Sequence, residues 1–261
     1  MTKALILAAG QGTRLRPLTN NLPKCLVPLL GRSILERQIE TLNSEGINDV
    51  HIVTGYCAEK IQALGFDTTF NERFESTNMV ASFFSAINFL KSFKEDLIVG
   101  YGDIVYQQNN LKALLASNYD MSLMVDKEWR SLWSLRLENP LEDAETLVLD
   151  DDDYVLELGK KPVDYKRIHG QYTGLIKIRA EKIAAIIDFY ENLDRNDLYD
   201  GQDFDNMYMT SFIQLMINSG WGVKSVPVKN GWLEIDSVED LNLYENLYKD
   251  NKLNSLYDYR N

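Results

Sequence analysis

The sequence predicts an α/β fold: a doubly wound, mostly parallel central sheet with a small β-rich insertion in the second half of the chain. Short apolar runs alternate with segments of helical periodicity between residues 3 and 106. Strands separated by helices pair in parallel through right-handed crossovers, which places helices on both faces of the sheet. A change to short, alternating segments between residues 126 and 178 indicates the β-rich insertion.

Capping and turn residues define the first elements. An apolar run predicts a strand over residues 3–8. Ser33 and Glu36 have the spacing of a capping box, so a helix is expected to begin there and to end at Gly46. A second strand is expected over residues 50–54. It is followed by a predicted helix over 58–64 and a short strand over 68–70.

The second half contains further caps and one hairpin. Ser76 or Thr77 is expected to cap a helix that runs to Leu90. The aspartates at 150–153 separate two apolar runs and predict the turn of a hairpin. Ser237 is expected to cap the last helix. The other predicted elements are a buried strand that begins at Asp96 and helices over 181–190 and 207–217.

Composition limits the kinds of partner. A chain of 261 residues with 45% hydrophobic content can bury the core of one large domain. A net charge of −12 argues against nucleic acids and anionic membranes as partners. Cys25 and Cys57 do not indicate a disulfide framework. The chain leads directly into a strand and has no apolar run near the roughly 20 residues that span a bilayer, so we expect a cytoplasmic protein. Homo-oligomer formation stays open.

The most informative stretch is LILAAGQGTRLRPLT at residues 5–19, followed by Pro23 and Lys24. Its small residues let backbone N–H groups approach a ligand, and such groups can form an anion-binding nest. The guanidinium of Arg14 suits two-point contact with phosphate oxygens, and the ammonium of Lys24 acts as a point charge. The stretch therefore predicts a polyphosphate-binding loop at the carboxyl end of the first strand.

Two other phosphate-binding loops do not fit this stretch. The P-loop pattern G-x-x-x-x-G-K-[ST] does not occur in it. The dinucleotide pattern G-x-G-x-x-G fits at Gly10 and Gly12, but Leu15 stands where the third glycine is required. An NAD(P)-dependent oxidoreductase is therefore disfavoured.

The string L-A-A-G-x-G-T-R-L-x-P-L-T-x-x-x-P-K resembles the opening of the nucleotidyltransferases that join nucleoside triphosphates to sugar 1-phosphates and related phosphoryl acceptors. The resemblance covers nearly the whole chain. It implies a Rossmann-like sheet of the GT-A type, in which Arg14 and Lys24 contact the triphosphate. It also implies one domain over 1–250, with a nucleotide-binding part at about 1–125 and 220–248, an acceptor-binding insertion at about 126–178, and a polar tail over 251–261.

The same resemblance implies a set of nucleotide-binding residues. In that family the helix after residue 77 begins beside the base, so Asn78 and Ser82 are candidates to contact base or ribose atoms. The alternative for these two residues is simple helix capping. The implied set is Leu7, Ala8, Ala9, Gly10, Gln11, Gly12, Thr13, Arg14, Lys24, Gly55, Asn78, Ser82 and Gly102.

Two aspartates are candidate metal ligands. Asp103 follows a buried strand and a glycine, and Asp236 ends a short run of strand character. Mg²⁺ keeps several waters and needs few protein oxygens, which suits isolated carboxylates. The family has metal-binding aspartates in such G-D and E-I-D contexts, so the resemblance implies Mg²⁺ at Asp103 and Asp236. With Arg14 and Lys24 they form the predicted catalytic set, and a plain turn or cap role is the alternative.

A G-K-K-P element at residues 159–162 predicts the acceptor side. Sugar nucleotidyltransferases have E-K-P here, so the resemblance implies that Lys161 contacts the acceptor phosphate. Lys160 replaces the glutamate that contacts sugar hydroxyls. A cation at this position suits a second anionic group on the acceptor better than a hexose.

Aromatic residues and one glutamate complete the predicted acceptor side. Trp129, Trp133 and Tyr172 can form a cage for a quaternary ammonium, with packing between the insertion and the sheet as the alternative. Glu234 alternates with Asp236 along the same short strand and is expected to share its face.

Several runs narrow the resemblance within the family. GDIVY, LENPLEDAE, GKKP and EID resemble the phosphocholine and phosphonate cytidylyltransferases, and NMYMTSF resembles the phosphoglutamine cytidylyltransferases. This implies transfer of CMP from CTP to a phosphorylated small molecule, with release of pyrophosphate. Two alternatives stay open: a sugar-1-phosphate nucleotidyltransferase that uses another triphosphate, and a non-catalytic nucleotide-sensing subunit. Retention of Arg14, Lys24, Asp103 and Asp236 favours an enzyme.

Overall fold

A computed structural model describes residues 2–259, so Met1 and residues 260–261, which the predicted domain and tail include, lie outside it. A seven-stranded sheet with the order β12-β8-β11-β6-β1-β4-β5 forms its centre. The strands are β1 Thr2–Ala8, β2 Pro28–Leu29, β3 Arg32–Ser33, β4 Val50–Thr54, β5 Asp67–Phe70, β6 Asp96–Tyr101, β7 Ile104–Tyr106, β8 Met121–Asp126, β9 Leu147–Leu149, β10 Val155–Leu158, β11 Gln171–Ile178, β12 Val223–Val228 and β13 Trp232–Glu234.

Helices cover both faces of this sheet. The α-helices are α1 Ile34–Ser44, α2 Ala58–Gln62, α3 Met79–Ser85, α4 Ile87–Leu90, α5 Gln108–Leu115, α6 Trp129–Arg136, α7 Ala180–Glu191, α8 Met209–Asn218 and α9 Val238–Lys249. Short 3-10 helices lie at Thr13–Leu15, Lys24–Leu26, Pro140–Glu142, Tyr165–Arg167, Phe204–Asn206 and Leu253–Ser255.

The pairing directions confirm the predicted, mostly parallel sheet. β1 pairs in parallel with β4 and β6, β4 with β5, and β8 with β12. Within the central sheet of residues 2–259, β11 alone runs antiparallel to its neighbours, β6 and β8. Alternate residues along each strand supply two hydrophobic clusters, one on each face. One cluster includes Ile6, Ile52 and Ile98, and the other includes Leu5, Val53 and Val99.

The predicted caps are confirmed at two helices and wrong at one. Ser33 forms the expected capping box with Glu36, and Ser237 caps α9. At α3 the cap is Asn78, whose side chain accepts a hydrogen bond from the Met79 backbone N–H. The Thr77 hydroxyl instead donates to the Arg73 carbonyl and accepts from the Asn71 side-chain amide at 3.0 Å. The predicted single helix to Leu90 is also interrupted at Ala86, where α3 ends and α4 begins.

The segment predicted as a β-rich insertion divides between two parts of the structure. β9 and β10 form the expected hairpin around the aspartate turn. β11 instead completes the central sheet, so the part that lies outside the sheet is 127–170. This part also contains α6, which the sequence analysis did not predict. Its buried residues Trp129, Leu132 and Trp133 have helical spacing, but two of them were interpreted as parts of a ligand cage.

The segment after Asp250, predicted as a polar tail, packs against the core. Leu253, Leu256 and Tyr257 are buried, and the Gly231 N–H donates to the Leu256 carbonyl at 2.6 Å. These three apolar side chains stabilise the packing of an otherwise polar segment, because their burial removes apolar surface from water. None of the helices in the described part of the chain is long and apolar enough to cross a membrane.

Candidate active site

The glycine-rich loop is fixed by contacts around Gly12. Gly12 has a φ of +61°, a conformation that side chains disfavour. A Cβ there would lie 2.9 Å from the Lys24 Cβ, so the loop packs directly on the stem of Lys24. The Thr19 hydroxyl donates to the Gly12 carbonyl at 2.7 Å. These contacts hold the loop beside the end of β1.

A second close approach delivers Asp103. The Gly102 N–H donates to the Leu7 carbonyl at 2.9 Å, and a Cβ at Gly102 would lie only 2.7 Å from that oxygen. The Asp103 carbonyl then accepts from the Ile235 N–H at 2.9 Å, which brings in the turn after β13. The carboxyl ends of β1, β6 and β13 therefore meet at one edge, as ligand-binding strands do in open α/β sheets.

The four predicted catalytic residues converge at this edge. The Lys24 ammonium lies 2.7 Å from Oδ2 of Asp103 and also donates to Oδ1 of Asp236. The Arg14 guanidinium lies 3.1 Å from Oδ2 of Asp236. Burial alone would lower the pKa of Lys24, but the two carboxylates outweigh it and raise that pKa. Burial alone would raise the pKa of Asp236, but Lys24 and Arg14 hold it below its usual value.

A buried arginine that the sequence analysis missed supports this cluster. Arg136, whose side chain is 5% exposed, binds Oδ1 of Asp240 through Nε at 2.8 Å and Oε2 of Glu234 through NH1 at 2.8 Å. The other Asp240 oxygen accepts from the Asp236 and Ser237 backbone N–H groups, each at 3.0 Å. Arg136 therefore holds the turn that carries Asp236. Burial and the charge of Asp236 raise the pKa of Glu234 to about 8.

Two adjoining cavities open on either side of the charged cluster. The first, here called the loop pocket, measures about 180 Å³ and is lined by Leu7, Ala8, Gly10, Lys24, Cys25, Asn78, Met79, Tyr101, Gly102 and Asp103. The second, here called the aromatic pocket, measures about 200 Å³. Its walls include the aromatic residues Tyr101, Trp133, Tyr172, Tyr208 and Trp232 and the carboxylates Asp143, Glu145, Glu234 and Asp236. Met79 and Tyr101 line both cavities, so the two pockets adjoin there.

Some predicted nucleotide-binding residues lie behind the pocket wall rather than on it. Ser82 is 7% exposed, and its hydroxyl accepts a hydrogen bond from the Asn71 amide at 3.1 Å. Gly55 packs on the backbone of Ala9, where a Cβ would lie 2.6 Å from the Ala9 carbonyl oxygen. Gln11 and Thr13 belong to the loop without lining the cavity.

The structure brings only part of the predicted acceptor set together. Trp133, Tyr172 and Glu234 line the aromatic pocket. Trp129 does not, because it packs edge-to-face on Trp133 with ring centroids 5.9 Å apart. The Lys160 ammonium is directed to Glu157 at 3.8 Å.

Lys161 is an exposed residue shortly after the end of β10. Its ammonium donates to the Glu142 carbonyl. It also lies near enough to Glu145 to lower the pKa of that carboxyl. Burial dominates, however, and together with Asp143 and Asp200 it raises the pKa of Glu145 to about 7.

The carboxylates at the sheet edge suit a hard cation that is bound partly by the protein and partly by a substrate. Within residues 2–259 no group of three or more His, Cys, Asp or Glu side chains is arranged to hold a metal ion. Asp103 Oδ1 is nevertheless buried without a hydrogen-bond partner in this part of the chain. Mg²⁺ is commonly held by one or two carboxylates together with substrate phosphates, and Asp103 and Asp236 fit that arrangement.

Comparison with known proteins agrees with this geometry. Residues 3–125 match the family model described as nucleotidyl transferase. The chain is 43% identical over 246 residues to a CTP:phosphoglutamine cytidylyltransferase of Campylobacter jejuni, covering 91% of this chain and 97% of that protein. It is 33% identical over 255 residues to a choline-phosphate cytidylyltransferase of Streptococcus pneumoniae, covering 95% and 98% of the two chains.

Solved structures show the same fold. An inositol-1-phosphate CTP transferase from T. maritima superposes with a TM-score of 0.72 at 22% identity, over 98% of this chain and 97% of the other. A CTP:phosphocholine cytidylyltransferase from Streptococcus pneumoniae superposes with a TM-score of 0.69 at 25% identity, over 95% and 99%. The chain therefore belongs to the nucleotidyl transferase family, within which it is a cytidylyltransferase.

Proposed function

We propose that this enzyme transfers CMP from CTP to a phosphorylated small molecule of the glutamine phosphate type and releases pyrophosphate. The observation that carries the proposal is the pair of adjoining pockets with Lys24, Asp103 and Asp236 at the sheet edge between them. One pocket adjoins the phosphate-binding loop, and the other is lined by aromatic residues and carboxylates. Such a pair suits two substrates whose phosphoryl groups must meet.

The reaction is an in-line displacement at phosphorus. An oxygen of the acceptor phosphoryl group attacks the α-phosphorus of CTP, and the bond from that phosphorus to the pyrophosphate oxygen breaks. The attacking oxygen is ionised near neutral pH, so the chain needs no general base. Catalysis then depends on positioning and on neutralising charge.

Arg14 and Lys24 supply the positive charge. Arg14 is 66% exposed at its side chain and can turn to the β- and γ-phosphates, whereas Lys24 is 15% exposed and stays at the reacting edge. Both draw charge toward the leaving pyrophosphate. Loss of one such electrostatic contact is expected to lower turnover by roughly 10²–10³.

Mg²⁺ is the proposed cofactor, held by Asp103 and Asp236. When bound there, the ion neutralises phosphate charge and orients the two substrates. The chain's own contribution is to keep the Asp236 carboxylate ionised, since Lys24 and Arg14 lower the pKa of Asp236. Asp103→Ala or Asp236→Ala with near wild-type activity would remove this assignment.

The remaining partners follow from the same proposal. Lys161 stays the proposed contact for the acceptor phosphoryl group because of its place in the G-K-K-P element, and its side chain is exposed with the ammonium at the Glu142 carbonyl. Ser82 supports the base side of the loop pocket from behind through Asn71. Lys160 and Trp129 are not included among the proposed acceptor-binding residues, because neither lines the aromatic pocket. A cytoplasmic location fits an enzyme that draws on the CTP pool.

Pyrophosphate release measured over a grid of substrates tests the proposal. CTP, UTP, GTP, dTTP and ATP are each combined with glutamine phosphate, phosphocholine, 2-aminoethylphosphonate and glucose 1-phosphate, with Mg²⁺. Release with CTP and glutamine phosphate above all other pairs is the expected result. Release with glucose 1-phosphate and another triphosphate would replace it with a sugar-1-phosphate enzyme. Silence over the grid with intact CTP binding would favour the nucleotide-sensing subunit.

A further inference from the structure

The aromatic pocket contains four carboxylates, of which only two have an ion-pair partner among the described residues. Glu234 is paired with Arg136, and Asp236 with Lys24 and Arg14. No lysine or arginine of the described residues lines this pocket. The side chains of Asp143 and Glu145 form no ion pair or hydrogen bond within residues 2–259.

Glu145 is nevertheless held firmly at its backbone. Its N–H donates to the Gln171 side-chain oxygen at 3.0 Å, and its carbonyl accepts from the Gln171 amide at 2.7 Å. Gln171 itself is 4% exposed, and it begins β11. Lys161 lowers the pKa of Glu145 less than burial raises it. A carboxyl that is held in a cavity without an ion pair suits a ligand that brings a cation.

Two buried donors in the same pocket also have no acceptor. The indole Nε1 of Trp133 is buried without a hydrogen-bond partner in the described structure, and the O–H of the buried Tyr172 phenol, which interacts with the Tyr101 phenol, has no acceptor of its own. Trp133 is 4% exposed and lines the pocket. Unpartnered N–H and O–H donors suit a ligand that brings an anionic or carbonyl oxygen.

The packing around Trp133 favours one of two kinds of cation. The Arg136 guanidinium carbon already lies 5.2 Å from the Trp133 ring centroid. Trp129 and Trp232 pack against the same ring, with centroids 5.9 and 5.7 Å away. A quaternary ammonium needs free aromatic faces, whereas a primary ammonium needs hydrogen-bond acceptors such as carboxylates.

We propose that the aromatic pocket binds an amino-acid head group, with Glu145 and Asp143 accepting its primary ammonium and Trp133 and Tyr172 donating to its carboxylate. This inference rests on the proposed function, because it assigns the part of the acceptor that lies away from the reacting phosphoryl group. Glu145 and Trp133 then determine which phosphorylated acceptors the enzyme selects.

Calorimetric titration tests the inference without turnover. The wild-type enzyme, with Mg²⁺ and a CTP analogue that cannot release pyrophosphate, is titrated with glutamine phosphate and with its analogue that lacks the α-amino group. A hydrogen-bonded charge is expected to make the first ligand bind about 10- to 100-fold more tightly. The Glu145→Gln variant should lose this preference, and Glu138→Gln, which changes an exposed glutamate of the same segment, should keep it.

A second variant tests the carboxylate half. Trp133→Phe keeps an aromatic ring but removes the N–H, and it should weaken glutamine phosphate without weakening the analogue that lacks the α-carboxylate. No preference in the wild type, or an unchanged preference in Glu145→Gln, would overturn the inference. Tighter binding of phosphocholine than of glutamine phosphate would overturn it in favour of a quaternary-ammonium site.

Turnover measured with the natural triphosphate separates this inference from the proposed function. Ammonium-dependent binding without any product would support the head-group site and reject the transfer reaction. Product formed with equal KM from glutamine phosphate and its analogue without the α-amino group would support the transfer reaction and overturn the head-group site.

Discussion

At the scale of single residues, Lys24 contacts the same two carboxylates, Asp103 and Asp236, that are the proposed metal ligands. A cation and an ammonium compete for the same oxygens, because both are stabilised by the same negative charge. We therefore expect that Lys24 occupies these carboxylates until a nucleotide's phosphates offer it other partners.

Replacement of Lys24 measures this competition. Mn²⁺, a spectroscopic substitute for Mg²⁺, should bind Lys24→Met without nucleotide at least about tenfold more tightly than wild type, because a positive charge close to the metal has gone. Electron paramagnetic resonance of free Mn²⁺ gives both affinities. Lys60→Met, which changes an exposed lysine on α2, is the control and should match wild type. Equal affinities for Lys24→Met and wild type would contradict the competition.

Glu145 provides a prediction about pH. Its pKa rises from an ordinary value of 4.5 to about 7 on folding. The folded state therefore holds more protons than the unfolded state between these values, so the free energy of unfolding falls as pH rises through this window. Glu145→Gln removes the titrating charge. The free energy of unfolding of the variant minus that of wild type should therefore be about 1–3 kcal/mol larger at pH 8 than at pH 4.

Thermal or chemical unfolding at both pH values checks this prediction. Glu138→Gln should show no such pH-dependent difference from wild type, since its side chain is exposed. A Glu145→Gln variant whose stability relative to wild type is the same at pH 4 and pH 8 would mean that the carboxyl titrates normally.

The sequence predicted single residues best where a short motif carries them. Arg14, Lys24, Asp103 and Asp236 were named from local strings, and the structure brings their side chains within ion-pair distance. Arg136 and Glu145 lie in no motif with a known chemical role. Their importance depends on contacts with residues about 100 and 26 positions away, which no local pattern encodes.

At the scale of elements, α1 and α9 begin with the same device. In each, a serine side chain accepts from the backbone N–H three residues later, and the acidic residue there accepts from the serine N–H. The caps differ in what precedes them. Asp236, a proposed metal ligand, is the residue directly before the α9 cap, whereas the α1 cap lies in a hairpin formed by β2 and β3.

This pair of caps separates stability from catalysis. Ser33→Ala and Ser237→Ala should each lower the free energy of unfolding by about 1 kcal/mol. Only Ser237→Ala should also lower kcat, by about 10- to 100-fold, because it loosens the turn that positions Asp236. Denaturant titration and steady-state kinetics give the two readouts. A normal kcat in Ser237→Ala, or an equal loss in Ser33→Ala, would contradict this role.

Element types were predicted less evenly than the motifs. Apolar runs and one capping box identified β1, α1, β4, α2 and β5, because each is defined by its own neighbours. The two-residue strands β2 and β3 were not predicted. α6 was missed because its tryptophans were interpreted chemically, although the spacing of Trp129, Leu132 and Trp133 fits a buried helical face. Pattern periodicity was the better guide there than residue type.

At the scale of the whole molecule, the last residues belong to the core. Leu253 is 1% exposed, and Leu256 is tied through its carbonyl to Gly231, the residue before β13. The terminal segment therefore supports the strand that leads to Glu234 and Asp236. A polar composition hid this role, because burial depends on a few apolar positions and not on the average of a segment.

A leucine pair tests how far the core extends. Leu253→Ala should lower the free energy of unfolding by about 2–5 kcal/mol, since it leaves a cavity in a packed interior. Leu198→Ala, at a side chain that is 64% exposed, should change it by less than about 0.5 kcal/mol. Denaturant unfolding measures both. Equal effects of the two substitutions would mean that the segment after Asp250 is not part of the folded unit.

The overall topology was predictable in class but not in detail. Strand–helix alternation predicts a parallel sheet, and the observed order places β1 between β6 and β4. The antiparallel insertion of β11 between β6 and β8 was not predicted. It depends on pairing between strands about 50 and 75 residues apart, whereas local periodicity reports only which residues face the core.

The most direct test of the account is to identify the phosphorus that is attacked. Wild-type enzyme is incubated with CTP, glutamine phosphate and Mg²⁺, and the products are identified by mass spectrometry and by phosphorus NMR. We expect a product that joins CMP to the acceptor through a new P–O–P bond, with one pyrophosphate released for each molecule formed. Release of inorganic phosphate and CDP, with no CMP-linked acceptor, would contradict this expectation.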